Sequence, residues 1–234
     1  MKKYLLLAGL CLLPLVHAAQ SAEPATKPSF ARAGIDRKSL TWIDTVVATT
    51  IEEKTIPGAV VLVSRRGQVV YRKAFGYAGL VPEKIPMTVD KMFDMASVTK
   101  PVATATSIMV LCERGRLRLT DRVSNYLPEF TRYQNPDSSW AEEARIWHLL
   151  THTSGLPAYT NADTAALRLG QPCTREALAN YIAGLKKMNA PGEVYRYSCL
   201  GFITLAHVIE KITGKNVHTF SQEAVFRPLR MRHT

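Results

Sequence analysis

The sequence has no long apolar segment and no long block of like charge. It lacks any run of the roughly eighteen apolar residues that a membrane-spanning helix needs, so we expect no stable membrane anchor. Lysine and arginine number 30 against 19 acidic residues, a formal charge of +11. Because these charges are scattered and no zinc-finger or RNP-type motif occurs, we expect no nucleic-acid partner.

The sequence is also poor in cysteine, with only 4. This number excludes a disulfide-dense miniprotein, and the absence of a Cys-x-x-Cys spacing argues against a metal or redox motif. Beyond the first residues of the chain, Cys112, Cys173 and Cys199 remain. An odd number in an oxidising compartment leaves at least one free thiol.

Two familiar catalytic signatures are missing as well. No Gly-x-Ser-x-Gly elbow occurs, which counts against an α/β-hydrolase. His148 and His152 have the spacing of a zinc-binding helix, but Leu149 stands where the glutamate of His-Glu-x-x-His would be. We therefore expect neither a metal ion nor any other cofactor.

The first residues have the three parts of a secretory signal peptide. A basic start, Met1–Lys3, is followed by the apolar run Tyr4–Val16 and by small residues around Ala18. The sequence therefore predicts a cleaved signal peptide over residues 1–18 and export to the periplasm or the medium. Residues 19–37 are small and polar and predict a flexible leader, which leaves residues 38–234 as the folded domain.

Hydrophobic spacing beyond the leader predicts helices and one hairpin. The order of these elements favours an α+β fold with an antiparallel sheet and helices over alternating βαβ units. We expect the first hairpin strand to be buried on both faces, because it is a continuous β-branched run. The predicted elements are a helix over Leu40–Glu53, strands over Ala59–Val63 and Gln68–Tyr77, a buried helix over Pro101–Cys112, and helices over Arg145–Thr151, Thr174–Lys186 and Phe202–Ile212.

Ser97 and Lys100 form a Ser-x-x-Lys tetrapeptide at the start of the predicted buried helix. Side chains three residues apart on a helix lie on one face. A serine hydroxyl becomes a nucleophile when a base takes its proton, and a lysine is such a base only when neutral, which burial and nearby positive charge favour. Alone, the tetrapeptide is a weak signal, because it is usually a helix N-cap followed by a solvated lysine.

Further motifs follow Ser97 in order, and together they resemble the β-lactamase-related serine hydrolases, which include class C β-lactamases, low-molecular-weight penicillin-binding proteins and related esterases. The resemblance runs from about residue 38 to the end of the chain. It implies a β-lactamase/transpeptidase-like fold, in which an all-helical region accompanies the antiparallel sheet. The matching segments are Phe93–Lys100, Gly115–Asp121, Tyr126–Phe130, His148–Pro157, Pro191–Gly192, Tyr197–Phe202 and Phe226–Met231.

The resemblance also implies catalytic roles. Ser97 would be the nucleophile that becomes acylated, and its backbone N–H would form half of an oxyanion hole. Lys100 would take or relay the serine proton, and Tyr197 would be the second general acid/base. The His148–Pro157 segment would be structural, a helix end and tight turn near the active site.

Two departures from the family pattern stand out. Cys199 occupies the position of the family's Tyr-x-Asn asparagine, where it would contact substrate. A thiol donates and accepts hydrogen bonds only weakly, so we expect poor recognition of amide-bearing β-lactams. The sequence also ends at Thr234, before the family's third motif, so we expect that the C-terminal strands are missing from this chain.

Two functions from different classes remain open at this point. The first is a serine hydrolase that acts through an acyl-enzyme on a peptide, ester or lactam carbonyl, with a small molecule or a cell-wall-derived peptide as substrate. The second is a short pseudoenzyme that binds cell-wall peptide or a partner protein without turnover. The oligomeric state does not follow from the sequence.

Overall fold

The computed structural model describes residues 30–161, 165, 167, 169 and 173–234. The chain divides into two compact units, residues 1–92 and residues 93–234. The predicted signal peptide and residues 19–29 of the predicted leader lie outside the described residues. The rest of that leader contains a short helix, α1 (Phe30–Ala33), and the first residue of a 3-10 turn over Arg37–Leu40.

The first unit contains one helix of three turns and a three-stranded antiparallel sheet. Helix α2 spans Thr41–Glu52, and the sheet has the order β1 (Gly58–Arg65), β2 (Gln68–Gly79) and β3 (Ile85–Pro86). Arg66 and Gly67 join β1 to β2 with φ angles of 52° and 72°. Two successive residues with positive φ match the right-handed twist of the flanking strands, which explains the tight hairpin.

Helix α2 is joined to the sheet of this unit through one carboxylate. Asp44 accepts a hydrogen bond of 3.0 Å from the Tyr71 hydroxyl and forms an ion pair with Lys73, both on β2. These hydrogen bonds lower the pKa of Asp44, with Lys73 as the larger cause. The helix therefore contacts the strand through charged and polar groups.

The prediction that the first hairpin strand is buried on both faces is wrong. Residues 59–63 are half-buried except for Leu62, which is 54% exposed. Among the described residues of the first unit, only Ala33 and Val70 are buried. The reason is that this sheet has only three strands, one of them two residues long, and β1 forms its edge.

The second unit is mainly helical. The predicted buried helix is divided into a 3-10 turn, Ala96–Val98, a π-helical segment, Lys100–Ala105, and helix α3, Thr106–Glu113. Further helices are α4 (Ile146–Leu150), α5 (Arg175–Ala183), α6 (Cys199–Thr213) and α7 (Val217–Ser221), and short 3-10 and π-helical turns lie at Val123–Asn125 and Gln222–Phe226. The antiparallel sheet and these helices together confirm the predicted α+β class.

The core of the second unit consists of aliphatic and aromatic side chains from α3 to α7 and from the loops between them. Helix α6 contributes its apolar face to this core, as its hydrophobic spacing predicts. None of the helices in the described part of the chain is long and apolar enough to cross a membrane. The buried core residues are Ile108, Leu111, Leu117, Val123, Leu127, Phe130, Ala144, Ile146, Leu149, Leu156, Ile182, Ala183, Leu200, Phe202, Leu205, Val208, Ile209 and Phe220.

A buried lysine at the end of helix α5 is the unusual feature of this core. Lys187 is 3% exposed, and its ammonium group donates hydrogen bonds of 2.9 Å to the carbonyls of Ala183 and Leu185 and of 3.0 Å to the Thr131 hydroxyl. It also lies 4.2 Å from the centre of the Phe130 ring. Burial without a counter-charge lowers the pKa of Lys187 to about 8.

The depressed pKa predicts a stability change at alkaline pH. In the unfolded chain a lysine titrates near its ordinary value of 10.5, so between pH 8 and 10.5 the unfolded chain binds more protons than the folded one. The free energy of unfolding therefore rises with pH over this window, by up to about 3 kcal/mol from this group. Chemical denaturation of the wild type and of Lys187→Met across this window measures the rise in the free energy of unfolding, which should be absent in the variant.

The neighbouring exposed residue supplies a matched control. Lys186→Met removes the same charge from the surface, so its stability curve should keep the wild-type dependence on pH. If the free energy of unfolding changed with pH in the same way in the wild type and in Lys187→Met, the assignment of the depressed pKa to Lys187 would be contradicted.

Candidate active site

The Ser97 hydroxyl and the Lys100 ammonium group lie within hydrogen-bond distance. Ser97 is in the middle of the 3-10 turn, and Lys100 begins the π-helical segment. The two residues are three apart in one continuous helical stretch, so their side chains lie on the same face, as the sequence predicts. Lys100 Nζ donates to Ser97 Oγ over 3.2 Å, with Ser97 exposed and Lys100 half-buried.

The backbone before the serine is held in an uncommon conformation. Ala96 has a φ of 42°, in a region where a Cβ atom is unfavourable. The Asp94 carboxylate accepts the Ala96 N–H over 2.8 Å, and the Met95 carbonyl accepts the Val98 N–H over 2.9 Å. These two hydrogen bonds stabilise the turn that presents the Ser97 side chain to solvent.

Tyr197 reaches the same place from the segment before helix α6. Ser198 caps this helix: its hydroxyl accepts the Gly201 N–H over 3.2 Å and donates to the Pro157 carbonyl over 2.6 Å. The residue before this cap is therefore fixed relative to the turn that ends the His148–Pro157 segment. The Tyr197 ring centre lies 5.1 Å from Lys100 Nζ, and its phenol group is close enough to Ser97 and Lys100 for both to lower its pKa.

The three side chains change one another's acidity. The hydrogen bond from Ser97 and then that from Lys100 lower the pKa of Tyr197 from its ordinary value of 10.0. The same contact with Tyr197, followed by the charge interaction with Cys199, raises the pKa of Lys100 despite its partial burial. A neutral lysine base is favoured by burial and nearby positive charge. The neighbours of Lys100 are instead groups that become anions, so its charged form is favoured.

Cys199 is the first residue of helix α6 and lies beside Lys100. Its thiol is exposed and interacts with the Lys100 ammonium group, while its backbone N–H donates to the Ala158 carbonyl over 2.9 Å. The other two thiols of the described residues are also free. Cys112 is half-buried against the core of the second unit, and Cys173 is exposed.

The two histidines predicted to be structural each accept a backbone N–H through Nδ1. His148 accepts from Arg145 over 2.9 Å, and His152 accepts from Ser198 over 3.1 Å. Within the described ranges, no group of three or more potential metal ligands is present. Sequence reasoning missed the contact of His152 with the Tyr197 ring, whose centre is 4.5 Å away, because nothing in the local pattern relates two segments so far apart in the chain.

Comparisons with known proteins show the family of the chain. The family model described as Beta-lactamase matches residues 43–234. Penicillin-binding protein 4* of Bacillus subtilis is 35% identical over 190 residues, which cover 79% of this chain and 39% of that protein. A putative D-alanyl-D-alanine carboxypeptidase of Escherichia coli K12 is 28% identical over 243 residues, covering all of this chain and 55% of that protein.

A solved structure shows the same fold. EstCE1, described as a hydrolase with promiscuous acyltransferase activity, superposes with a TM-score of 0.71 at 32% identity, covering 83% of this chain and 52% of that one. The chain spans about half or less of the length of the curated relatives that it matches.

The lowered pKa of Tyr197 can be measured directly. Ionisation of tyrosine is followed by its ultraviolet absorbance as the pH is raised. The absorbance of the wild type minus that of Tyr197→Phe should show one group that titrates below the ordinary tyrosine range. Lys100→Met should move that titration to higher pH, because it removes a positive charge and a hydrogen-bond donor from the phenolate. Lys186→Met, which removes a surface charge elsewhere, should leave it in place. A Tyr197 that titrates at its ordinary value in the wild type would contradict the geometry.

Proposed function

The chain belongs to the beta-lactamase family, and from this membership we propose that it is an exported serine hydrolase that forms an acyl-enzyme through Ser97. The observation that carries the proposal is the hydrogen bond of 3.2 Å between Lys100 Nζ and Ser97 Oγ, with the Tyr197 phenol in contact with both groups. A nucleophile, a cation and a second acid/base group at one place are what acyl transfer requires.

In the acylation step, Ser97 Oγ attacks the carbonyl carbon of the substrate. The lowered pKa of Tyr197 makes its ionised form more accessible, and the Ser97 hydroxyl proton passes to the Tyr197 oxygen in that form. The electron pair of the substrate carbonyl moves onto the carbonyl oxygen. The Ser97 backbone N–H stabilises this oxyanion as one of its donors. When the tetrahedral intermediate collapses, the bond to the leaving group breaks and Tyr197 returns its proton to that group.

In the deacylation step, a water molecule takes the place of the leaving group. The oxygen of this water attacks the acyl carbon while Tyr197 accepts a proton from the water. The bond between Ser97 Oγ and the acyl carbon then breaks, and Tyr197 gives that proton to Ser97 Oγ. The enzyme returns to its first state, and the product is the free acid.

Lys100 acts in this scheme as a cation. Its raised pKa keeps the ammonium group charged at neutral pH, where it donates to Ser97 Oγ and stabilises the Tyr197 phenolate. The two opposite pKa shifts thus support Tyr197 as the primary base and Lys100 as the group that maintains the phenolate.

The substrate is proposed to be a peptide, ester or lactam carbonyl compound, and Cys199 is proposed to contact it. Penicillin-binding protein 4* and the putative D-alanyl-D-alanine carboxypeptidase favour a cell-wall-derived peptide, and EstCE1 favours an acyl ester. A cell-wall substrate is consistent with the predicted signal peptide and a location outside the cytoplasm. The exposed thiol of Cys199 is a weak hydrogen-bond partner, which favours esters over amide-bearing β-lactams.

Covalent labelling tests the nucleophile. We expect intact-mass measurement to show one adduct on the 234-residue chain after incubation with a fluorophosphonate, and none on Ser97→Ala. Tyr197→Phe should label more slowly by about 10²–10⁴, because it lacks the proton acceptor. Ser139→Ala, an exposed serine of the same unit, should label like the wild type. A wild type that stays unmodified would support the pseudoenzyme instead.

Substitution at Cys199 tests the proposed substrate preference. Cys199→Asn introduces a side chain that donates and accepts well, so the ratio of kcat/KM for benzylpenicillin to that for p-nitrophenyl acetate should rise by about tenfold, the value of one added hydrogen bond. Cys173→Asn replaces the other exposed thiol and should leave the ratio unchanged. A ratio that Cys199→Asn does not alter would remove Cys199 from the substrate site.

A further inference from the structure

His152 holds the backbone on both sides of Tyr197. Its carbonyl oxygen accepts the Arg196 N–H over 2.8 Å, and its ring Nδ1 accepts the Ser198 N–H over 3.1 Å. Arg196 and Ser198 are the residues immediately before and after Tyr197. One residue of the turn therefore fixes the peptide units that flank the tyrosine.

The imidazole ring also contacts the aromatic ring that it positions. The centres of the His152 and Tyr197 rings are 4.5 Å apart, with an interplanar angle of 37°. On its other sides, His152 contacts Phe202 of helix α6 at 5.2 Å and the edge of Tyr195 at 6.0 Å. The position of Tyr197 thus depends on His152 through two hydrogen bonds and one ring contact.

Of the two hydrogen bonds, the one accepted by the His152 ring requires the neutral imidazole. An imidazole has one donor and one acceptor nitrogen, and Nδ1 is the acceptor here, so the proton is on Nε2. Burial and the positive charge of Lys100 lower the pKa of His152, which favours this neutral form. Protonation would place an N–H group against the Ser198 N–H and add a second positive charge near Lys100.

We propose that neutral His152 is a positioning residue that keeps the Tyr197 phenol against Ser97 and Lys100, and that protonation of His152 releases the tyrosine and lowers the reaction rate at acid pH. This proposal rests on the proposed function, since it assigns a control element to the same site. The groups that face His152 from the elements around it are Lys100 from the π-helical segment, Tyr195 and Tyr197 from the segment before α6, and the apolar Phe202 from α6. An imidazole is the side chain whose ordinary titration range includes pH 6.

Two substitutions separate the hydrogen bond from the ring contact. His152→Asn keeps an acceptor near the position of Nδ1, tolerates the φ of 60° found at this residue, and has no titratable group. His152→Phe keeps the ring contact with Tyr197 but leaves the Ser198 N–H without its acceptor. Thermal unfolding of both variants shows whether each is folded before its kinetics are compared.

The decisive measurement is the rate of Ser97 labelling by a fluorophosphonate between about pH 5 and pH 8. In the wild type the rate should fall at the acid end, with a midpoint below 6.5, the ordinary histidine value. His152→Asn should keep only the decline that protonation of Tyr197 itself causes, lose the additional step of the wild type, and label within about tenfold of the wild type at neutral pH. His152→Phe should also lose the additional step and be slower by at least about tenfold at every pH. A decline that persists unchanged in His152→Asn would overturn the proposal.

A second readout does not depend on the reaction. The NMR signals of the Tyr197 ring should shift with the same midpoint as the His152 imidazole, and the Tyr197 signals should lose this transition in His152→Asn. Tyr197 signals that ignore the protonation of His152 would overturn the proposal even if Ser97 reacts. Conversely, if Ser97 is not labelled at any pH while the two signals titrate together, the positioning role is supported and the proposed hydrolase activity fails.

Discussion

The site depends on a set of backbone hydrogen bonds between two loops of the second unit. Along residues 152–158, the carbonyls of Gly155, Thr153, His152 and Ala158 accept the N–H groups of Met188, Gly192, Arg196 and Cys199, over 2.8 to 2.9 Å. Gly155 has a φ of 78°, and a Cβ atom there would lie 2.3 Å from the Asn189 carbonyl oxygen, so the two loops approach too closely for any side chain at this position. The start of helix α6, and with it Tyr197 and Cys199, therefore takes its position from this turn.

The local elements followed from the sequence because hydrophobic spacing is a local signal. The predicted helix over Leu40–Glu53 is observed over Thr41–Glu52, and the apolar face from Phe202 to Ile212 lies in α6. The alignment of Ser97 with Lys100 followed from a spacing of three residues. The exposure of β1 did not, since a continuous apolar run does not reveal how many strands will flank it.

The long-range part of the site lay beyond pattern reasoning. No periodicity connects Ser97 with Tyr197, and only the resemblance to a family placed them together. The contact between His152 and the Ser198 N–H was out of reach for another reason. It depends on the left-handed backbone of His152 and on the tautomer of its ring, neither of which a Thr-His-Thr-Ser sequence determines.

Two lysines of the second unit, Lys187 and Lys100, show why burial alone does not create a base. Lys187 is almost fully buried, but its partners are neutral carbonyls, a hydroxyl and an aromatic ring, so burial dominates and its pKa falls to about 8. Lys100 is half-buried beside a phenol and a thiol that can carry negative charge, and its pKa rises. Since the interaction is mutual, the same contact lowers the pKa of Tyr197. These opposite shifts are what the proposed roles of Lys100 as cation and Tyr197 as base require, and in that proposal the surrounding turn controls the position of Tyr197.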